Sequence, residues 1–215
     1  AQRGIKIVVI DSDVNSSMVS CRIGTNNLQA GVKAAEAALA VGEDELYIGI
    51  VNYDVNSANG QQRELGFRQT VEQDPRVKNI TTINVLSTTE DARAGAKEML
   101  LSDSRINVVV TFNEWTSLGV GWAIRDLNRA DRIQVVAFDS NVVSVGMLET
   151  GEVDALIVQN PYAMGYLGVE TAANLMNGQT GGPSVVDTAT TIVTRENMYE
   201  PESQKILFSF EEEGY

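Results

Sequence analysis

The chain has no histidine, a single cysteine and no run of lysine or arginine. Without histidine, the usual general base and the commonest metal ligand are both missing. Cys21 has no second cysteine to bridge, so it leaves the redox compartment open. In its strand-like setting at residues 18–23 it reads as a buried packing thiol. The formal charge of −13 comes without any basic cluster, which speaks against a nucleic-acid partner, because phosphate backbones are gathered by clustered Lys and Arg. The acidity itself reads as an aid to solubility. No stretch approaches the roughly 18 apolar residues needed to span a bilayer. Neither a starting Met nor a basic segment followed by an apolar one opens the sequence, so no export signal is visible. No Gly-x-x-x-x-Gly-Lys-Ser/Thr occurs, and no Gly-x-Gly-x-x-Gly follows a strand, so nucleotide binding has no support and no cofactor is expected. Asp11-Ser12-Asp13 is too sparse for a carboxylate calcium loop, and no metal site is expected.

What is present is a chain long enough for one large or two small domains, 43% hydrophobic and 21% charged, which sets it apart from disordered and fibrous sequences. Five short apolar runs each stop at an acid or an amide: 7–10 before Asp11, 48–51 before Asn52, 108–112 before Asn113, 135–138 before Asp139, and 155–158 before Gln159. Runs of that length between helical stretches read as strands buried on both faces of a parallel sheet. In open sheets of this kind, ligands sit beyond the carboxyl ends of the strands. The residue types at those ends accept and donate hydrogen bonds and are poor in nucleophiles, which suits a polar neutral molecule.

The intervening pattern predicts strands at 4–10, 19–23, 46–51, 78–85, 106–112, 134–138, 153–158 and 185–194. Helices are predicted at 28–40, 62–72, 89–101, 117–128, 142–149 and 161–177. Gly151 closes the fifth of these helices, and Pro161 opens the sixth. Residues 179–183 form a Gly-rich turn, and Glu211-Glu212-Glu213 reads as a solvated end. The fold class is α/β, doubly wound, with parallel sheets in three α/β/α layers.

Beyond this pattern, residues 4–12 (GIKIVVIDS), Ile23-Gly24-Thr25-Asn26-Asn27 and Gly31 are familiar. So are Arg63-Glu64-Leu65-Gly66-Phe67, Phe112-Asn113-Glu114, Val136-Ala137-Phe138-Asp139-Ser140, Val158-Gln159-Asn160-Pro161 and Gly168-Val169-Glu170. In their order and spacing they resemble the periplasmic sugar-binding proteins of the ribose-binding type, which share a fold with lac-repressor-type sensor domains. The resemblance implies two doubly wound lobes that close on a monosaccharide. By position it implies Asp11, Gln61, Asn113, Asp139 and Gln159 as the ligand-binding residues, with Ser12, Trp115 and Tyr162 as further candidates. Ribose binders carry Arg where Ser12 and Gln61 stand here, so the loss of those charged donors weakens or redirects selection.

The same resemblance implies one complete lobe at 25–159 and 187–207, a remnant of the first lobe at 1–24 and 160–186, and a tail at 208–215. On this reading the chain is a fragment, or one piece of an assembly completed by a missing N-terminal segment or a second chain. A remnant sheet that small would expose apolar faces and unpaired edges.

The implied function is extracytoplasmic solute binding for an ABC-type sugar importer, with its membrane permease as partner and no catalysis. A sugar-sensing domain of a transcriptional regulator or membrane kinase is the alternative. A carbohydrate-processing enzyme using Asp11 and Asp139 is the third reading. At the level of single residues, Asp139 fits a hydroxyl-binding carboxylate or a helix cap, and Ser140 and Asn141 are also placed to cap. Asn113 and Gln159 fit a ligand or backbone bonding within their loops. Gln61 is open in the same way. Arg63 reads as one half of a surface salt bridge. Of Trp115 and Tyr162, either can stack on a pyranose, while core packing accounts for the other.

Overall fold

The computed structural model describes residues 4–179 and 181–208. In chain order its elements are β1 (Val8–Ile10), β2 (Cys21–Thr25), α1 (Asn27–Leu39), β3 (Leu46–Asn52), α2 (Ala58–Val71), β4 (Val77–Asn84), α3 (Thr89–Ser102) and β5 (Val108–Thr111). They continue with α4 (Glu114–Leu127), β6 (Gln134–Phe138), α5 (Val142–Thr150), β7 (Ala155–Val158), α6 (Pro161–Met176), β8 (Val185–Thr188), β9 (Thr191–Thr194) and α7 (Pro201–Leu207). The chain divides into two units, one of Ala1–Asn26 with Gln159–Thr190, the other of Asn27–Val158 with Thr191–Tyr215.

The first unit holds a parallel three-stranded sheet in the order β1-β2-β8. Its middle strand is buried at Cys21 and Ile23. Cys21 is a free thiol, as its setting predicted, and burial pushes its pKa up. Helix α6 starts where Asn160 Oδ1 accepts the Ala163 N–H at 2.9 Å, with Pro161 in the first helical turn, where its missing N–H costs nothing. Only Met164 and Gly168 of this helix are buried.

The second unit holds a six-stranded sheet in the order β4-β3-β5-β6-β7-β9. The first five strands are parallel, and β9 runs antiparallel to β7. The chain order reverses between β3 and β5, which is the switch point of a doubly wound sheet. Strand residues alternate between two apolar layers. Val108, Val110 and Phe112 join Ala34, Ala38 and Phe67 of α1 and α2. Val109, Val135 and Leu156 join Leu100, Ile124, Leu148 and Leu207 on the opposite face. Burial on both faces is why these strands read as continuous apolar runs. The helices α1 and α2 cross with their backbones nearly touching: a Cβ on Gly31 would stand 2.0 Å from the Arg63 carbonyl oxygen, and one on Gly66 would stand 2.0 Å from that of Leu28.

Several boundaries differ from the sequence reading. The stretch 185–194 is two strands, with β8 pairing parallel to β2 and β9 pairing antiparallel to β7. A run of β-branched residues carries no mark of the sheet to which each half belongs. Helix α4 starts three residues before the predicted 117, because Asn113 serves as its cap. Helix α2 starts at Ala58, with the Ser57 hydroxyl accepting the Gly60 N–H. Strand β1 covers only the end of the predicted 4–10. Helix α7 was not anticipated. The acidic triplet at 211–213 lies outside the described residues.

Candidate functional site

In the first unit, the residues at the carboxyl ends of β1 and β2 meet the start of α6. Asp11 follows β1, and its N–H donates to the Ile23 carbonyl at 2.9 Å. Its backbone is left-handed, at φ 61°. Asp11 and Ser12 are exposed. At the end of β2 the Thr25 hydroxyl, itself buried, donates to Gln159 Oε1 at 2.7 Å. That bond orients the Gln159 amide from below. Tyr162, in the first turn of α6, is 59% exposed and stacks on Tyr166 with ring centroids 6.5 Å apart.

In the second unit the ends of β5 and β6 lie side by side. Asn113 caps α4: its Oδ1 accepts the Thr116 N–H at 3.0 Å and the Thr116 hydroxyl at 2.7 Å, while its Nδ2 donates to the Ser87 hydroxyl at 2.7 Å. The backbone-bonding use of this amide is therefore realised, and one N–H of the side chain remains for any further partner. Asp139 Oδ2 accepts the N–H of Glu114 at 3.1 Å, which sets its carboxylate at the N-terminus of α4, where the helix dipole favours negative charge. Its backbone is also left-handed, at φ 66°. Asp139 does not cap the helix that follows it. Asn141 does, in a capping box with Ser144, and Asn141 also donates to Glu114 Oε1 at 2.6 Å.

Asp11, Asn128 and Asp139 are the non-glycine residues with positive φ among those described. Asn128 is the C-cap of α4, an ordinary place for that conformation. The other two are the acids that follow strands. A left-handed backbone costs an L-residue about 1–2 kcal/mol, and strain of this kind concentrates at functional positions.

Other candidates fall differently. Gln61 is exposed on α2 and its Nε2 donates to the Val55 carbonyl, closing its own loop. Two residues on, Arg63 faces the other way, because residues two apart on a helix project roughly 200° apart. Arg63 is not part of a surface salt bridge: it is 2% exposed, its Nε donates to Asn27 Oδ1 at 2.8 Å and its Nη1 to the Phe112 carbonyl at 2.7 Å, and its guanidinium lies 4.8 Å from the Phe138 ring centroid. The planar fork suits that bridging and stacking role. Asn52, the fifth strand-end residue, turns inward. It is buried, and its amide bonds the Gly60 carbonyl and Glu64. Neither Trp115 nor Tyr162 packs in a core; Trp115 is 48% exposed in the first turn of α4.

Sequence reasoning missed three residues. Thr25 aims Gln159, Glu114 ties Asp139 to Asn141, and Ser117 joins the ends of β5 and β6. Small hydroxyls inside apolar runs carry no periodic signal, and only their position beside a strand end marks them. Among the described residues, no group of three or more His, Cys, Asp or Glu is placed to hold a metal ion, and no helix is long and apolar enough to cross a membrane.

A mostly parallel sheet with helices on both faces and a switch point between β3 and β5 places the chain in the doubly wound α/β class. The chain belongs to the periplasmic binding protein domain family, whose model matches residues 1–180. It is 26% identical over 203 residues to the D-ribose/D-allose-binding protein of Pseudomonas aeruginosa, covering 89% of this chain and 62% of that protein. A carbohydrate-transporter solute-binding protein from Agrobacterium radiobacter, solved in complex with D-arabinose, superposes with a TM-score of 0.90 at 28% identity over 94% of this chain and 70% of that one. GanP, a glucose-galactose binding protein from Geobacillus stearothermophilus, superposes at 0.86 with 26% identity over 92% and 70%. The chain thus spans about six-tenths of the length of the curated relatives it matches.

Proposed function

We propose that the protein binds a monosaccharide outside the cytoplasmic membrane as the solute receptor of an ABC-type importer, without chemical turnover. The ligand-binding residues in this reading are Asp11, Gln159, Asn113 and Asp139. The observation that carries this reading recurs in both units: an acid just after a strand in a left-handed backbone, Asp11 and Asp139, and an amide just ahead of a helix, Gln159 and Asn113. Each amide has its oxygen engaged by a threonine, Gln159 by Thr25 and Asn113 by Thr116. Amides bring donors to such a site and carboxylates bring acceptors. A sugar hydroxyl donates and accepts at once, so it matches such a pair, and its bonds to the carboxylates are charge-assisted. The names of the relatives point the same way, since they bind ribose, allose, arabinose, glucose or galactose.

Gln61 enters the proposal as a residue that reaches ligand only by leaving the Val55 carbonyl. Ser12, Trp115 and Tyr162, all exposed, are proposed at the margin of the sugar.

Calorimetry of the full-length gene product against D-ribose, D-allose, D-arabinose, D-glucose and D-galactose, with product analysis alongside, tests the reading. One-to-one binding to at least one sugar, with no product, is expected. Silence across the panel, or turnover that disappears in Asp139→Asn, would overturn it.

A further inference from the structure

Strand β6 loses its neighbour β5 two residues before its own end. The β5–β6 ladder ends at Val110 opposite Val136, whereas the β6–β7 ladder continues to Phe138 opposite Ile157. The Asp139 N–H turns toward β7 and donates to the Ile157 carbonyl at 3.1 Å. Successive residues of a strand direct their backbone groups to opposite sides, so the N–H and C=O of Phe138 face β5, where the ladder has already stopped. Buried backbone groups left unpaired there would destabilise the strand end.

A side chain takes the place of the missing strand. Ser117 Oγ lies 2.9 Å from the Phe138 nitrogen and 2.9 Å from its carbonyl oxygen. It also lies 2.7 Å from the Asn113 carbonyl oxygen and 2.7 Å from Thr111 Oγ1. Ser117 is 1% exposed and Thr111 fully buried. A hydroxyl has one hydrogen and two acceptor positions. The arrangement that satisfies most groups has Ser117 accepting from the Phe138 N–H and the Thr111 hydroxyl, and donating to the Asn113 or Phe138 carbonyl. This one oxygen therefore ties the last residue of β6 to the cap of α4 and holds the two strand ends apart. Asn113 and Asp139 stand on either side of it.

We propose that Ser117 is a positioning residue of the sugar site: its hydroxyl replaces β5 as the partner of Phe138, and so holds Asp139 in its left-handed corner and Asn113 beside it. This rests on the sugar-binding reading above. Ser117 itself is too deeply buried to touch ligand.

Three predictions separate the two ideas. In the full-length protein, Ser117→Ala weakens binding of the tightest sugar in the panel by about tenfold or more, at a temperature where the variant is fully folded. A core variant of similar stability loss, Val145→Ala, leaves the affinity of the folded protein unchanged. In an Asp139→Asn background, Ser117→Ala costs at least about threefold less than in the unaltered protein, because one of the two residues it positions has already been altered. An unchanged Kd in Ser117→Ala, or the same loss in both backgrounds, overturns the proposal.

Should Ser117→Ala fail to fold, Thr111→Val removes the hydroxyl that Ser117 accepts from, and a loss in the same direction is expected. Hydrogen exchange at the Phe138 and Asp139 amides of the sugar-free protein gives a readout independent of binding. Faster exchange at both in Ser117→Ala is expected, and unaltered exchange overturns the positioning role. If the unaltered protein binds no sugar while exchange still responds, the functional reading fails and the positioning role stands.

Discussion

The two units place an acid at the end of a strand in the same backbone conformation, and support it very differently. In the second unit the strand before Asp139 is buried at Val135, Val136, Ala137 and Phe138, and the Phe67, Phe112 and Phe138 rings meet edge to face beneath the strand ends at centroid distances of 6.0 and 5.8 Å. In the first unit Ile10, immediately before Asp11, is 50% exposed, and Val169 and Met176 of α6 are more exposed still. The corner is thus a local device, made by the residue that ends the strand. Its rigidity is a property of the surroundings, because close-packed neighbours determine how far a strained residue can relax.

The largest effects should test whether the two corners act alike. Asp139→Ala and Asp11→Ala should each abolish the sugar-induced rise in melting temperature of the full-length protein, corresponding to a loss of about 2–5 kcal/mol in binding for a charge-assisted contact. If one variant keeps the shift, the parallel between the units breaks.

Packing should separate the units next. Leu156→Ala, at a fully buried site of the second unit, should cost about 2–5 kcal/mol in urea unfolding, while Val169→Ala on the exposed face of α6 should stay within about 0.5 kcal/mol. Equal costs would show that α6 is covered in solution.

Glycines sharpen the same contrast. Gly66→Ala meets the Leu28 carbonyl oxygen at 2.0 Å, whereas Gly168→Ala meets only the Ile10 Cγ2 methyl at 2.9 Å. A backbone oxygen cannot swing aside, so the first should lose about 1–3 kcal/mol. For the second, a side-chain methyl can give way and alanine favours the helix by about 0.5–1 kcal/mol, so the measured stability should change little. Matching losses would mean that Ile10 is as firmly held as the α1–α2 crossing.

The smallest effect is electrostatic and confined to the second unit. Hydrogen bonds from Arg93 and then Lys97 hold the Asp126 carboxyl below its usual 3.8, at about 2. A depressed acid stabilises the fold above its unfolded value and loses that contribution as pH falls through its folded value. Melting temperature should therefore fall between about pH 4 and pH 2, and Asp126→Asn should flatten part of that slope without altering melting at low pH. An unchanged slope would show that the pair is screened by solvent, as exposed pairs often are.

Much of the architecture was legible before any coordinates. β6 and the Gly151 stop of α5 stand where the sequence placed them, because a doubly buried strand and a left-handed cap each leave an unambiguous local mark. Capping misled at Asn113, since the same amide chemistry serves a helix end and a hydroxyl, and the helix was started too late. It misled at Asn52 for a related reason: a strand-end amide points to the crevice or into the protein according to what the neighbouring helix offers, here Gly60 and Glu64. Arg63 was misread because a buried cation satisfied by a carbonyl, an amide and an aromatic face carries no spacing signature.

The sequence by itself determined the alternation of strands and helices, the acids and amides at the strand ends, and the absence of histidine and of basic clusters, since periodicity and residue type are local properties of the chain. Tertiary structure alone decided that residues 185–194 serve two sheets, that Arg63 lies beneath the strand ends, and that a serine stands in for a strand beside Asp139. Each of these depends on which distant backbone comes within hydrogen-bond reach, and nothing in the local sequence records that distance.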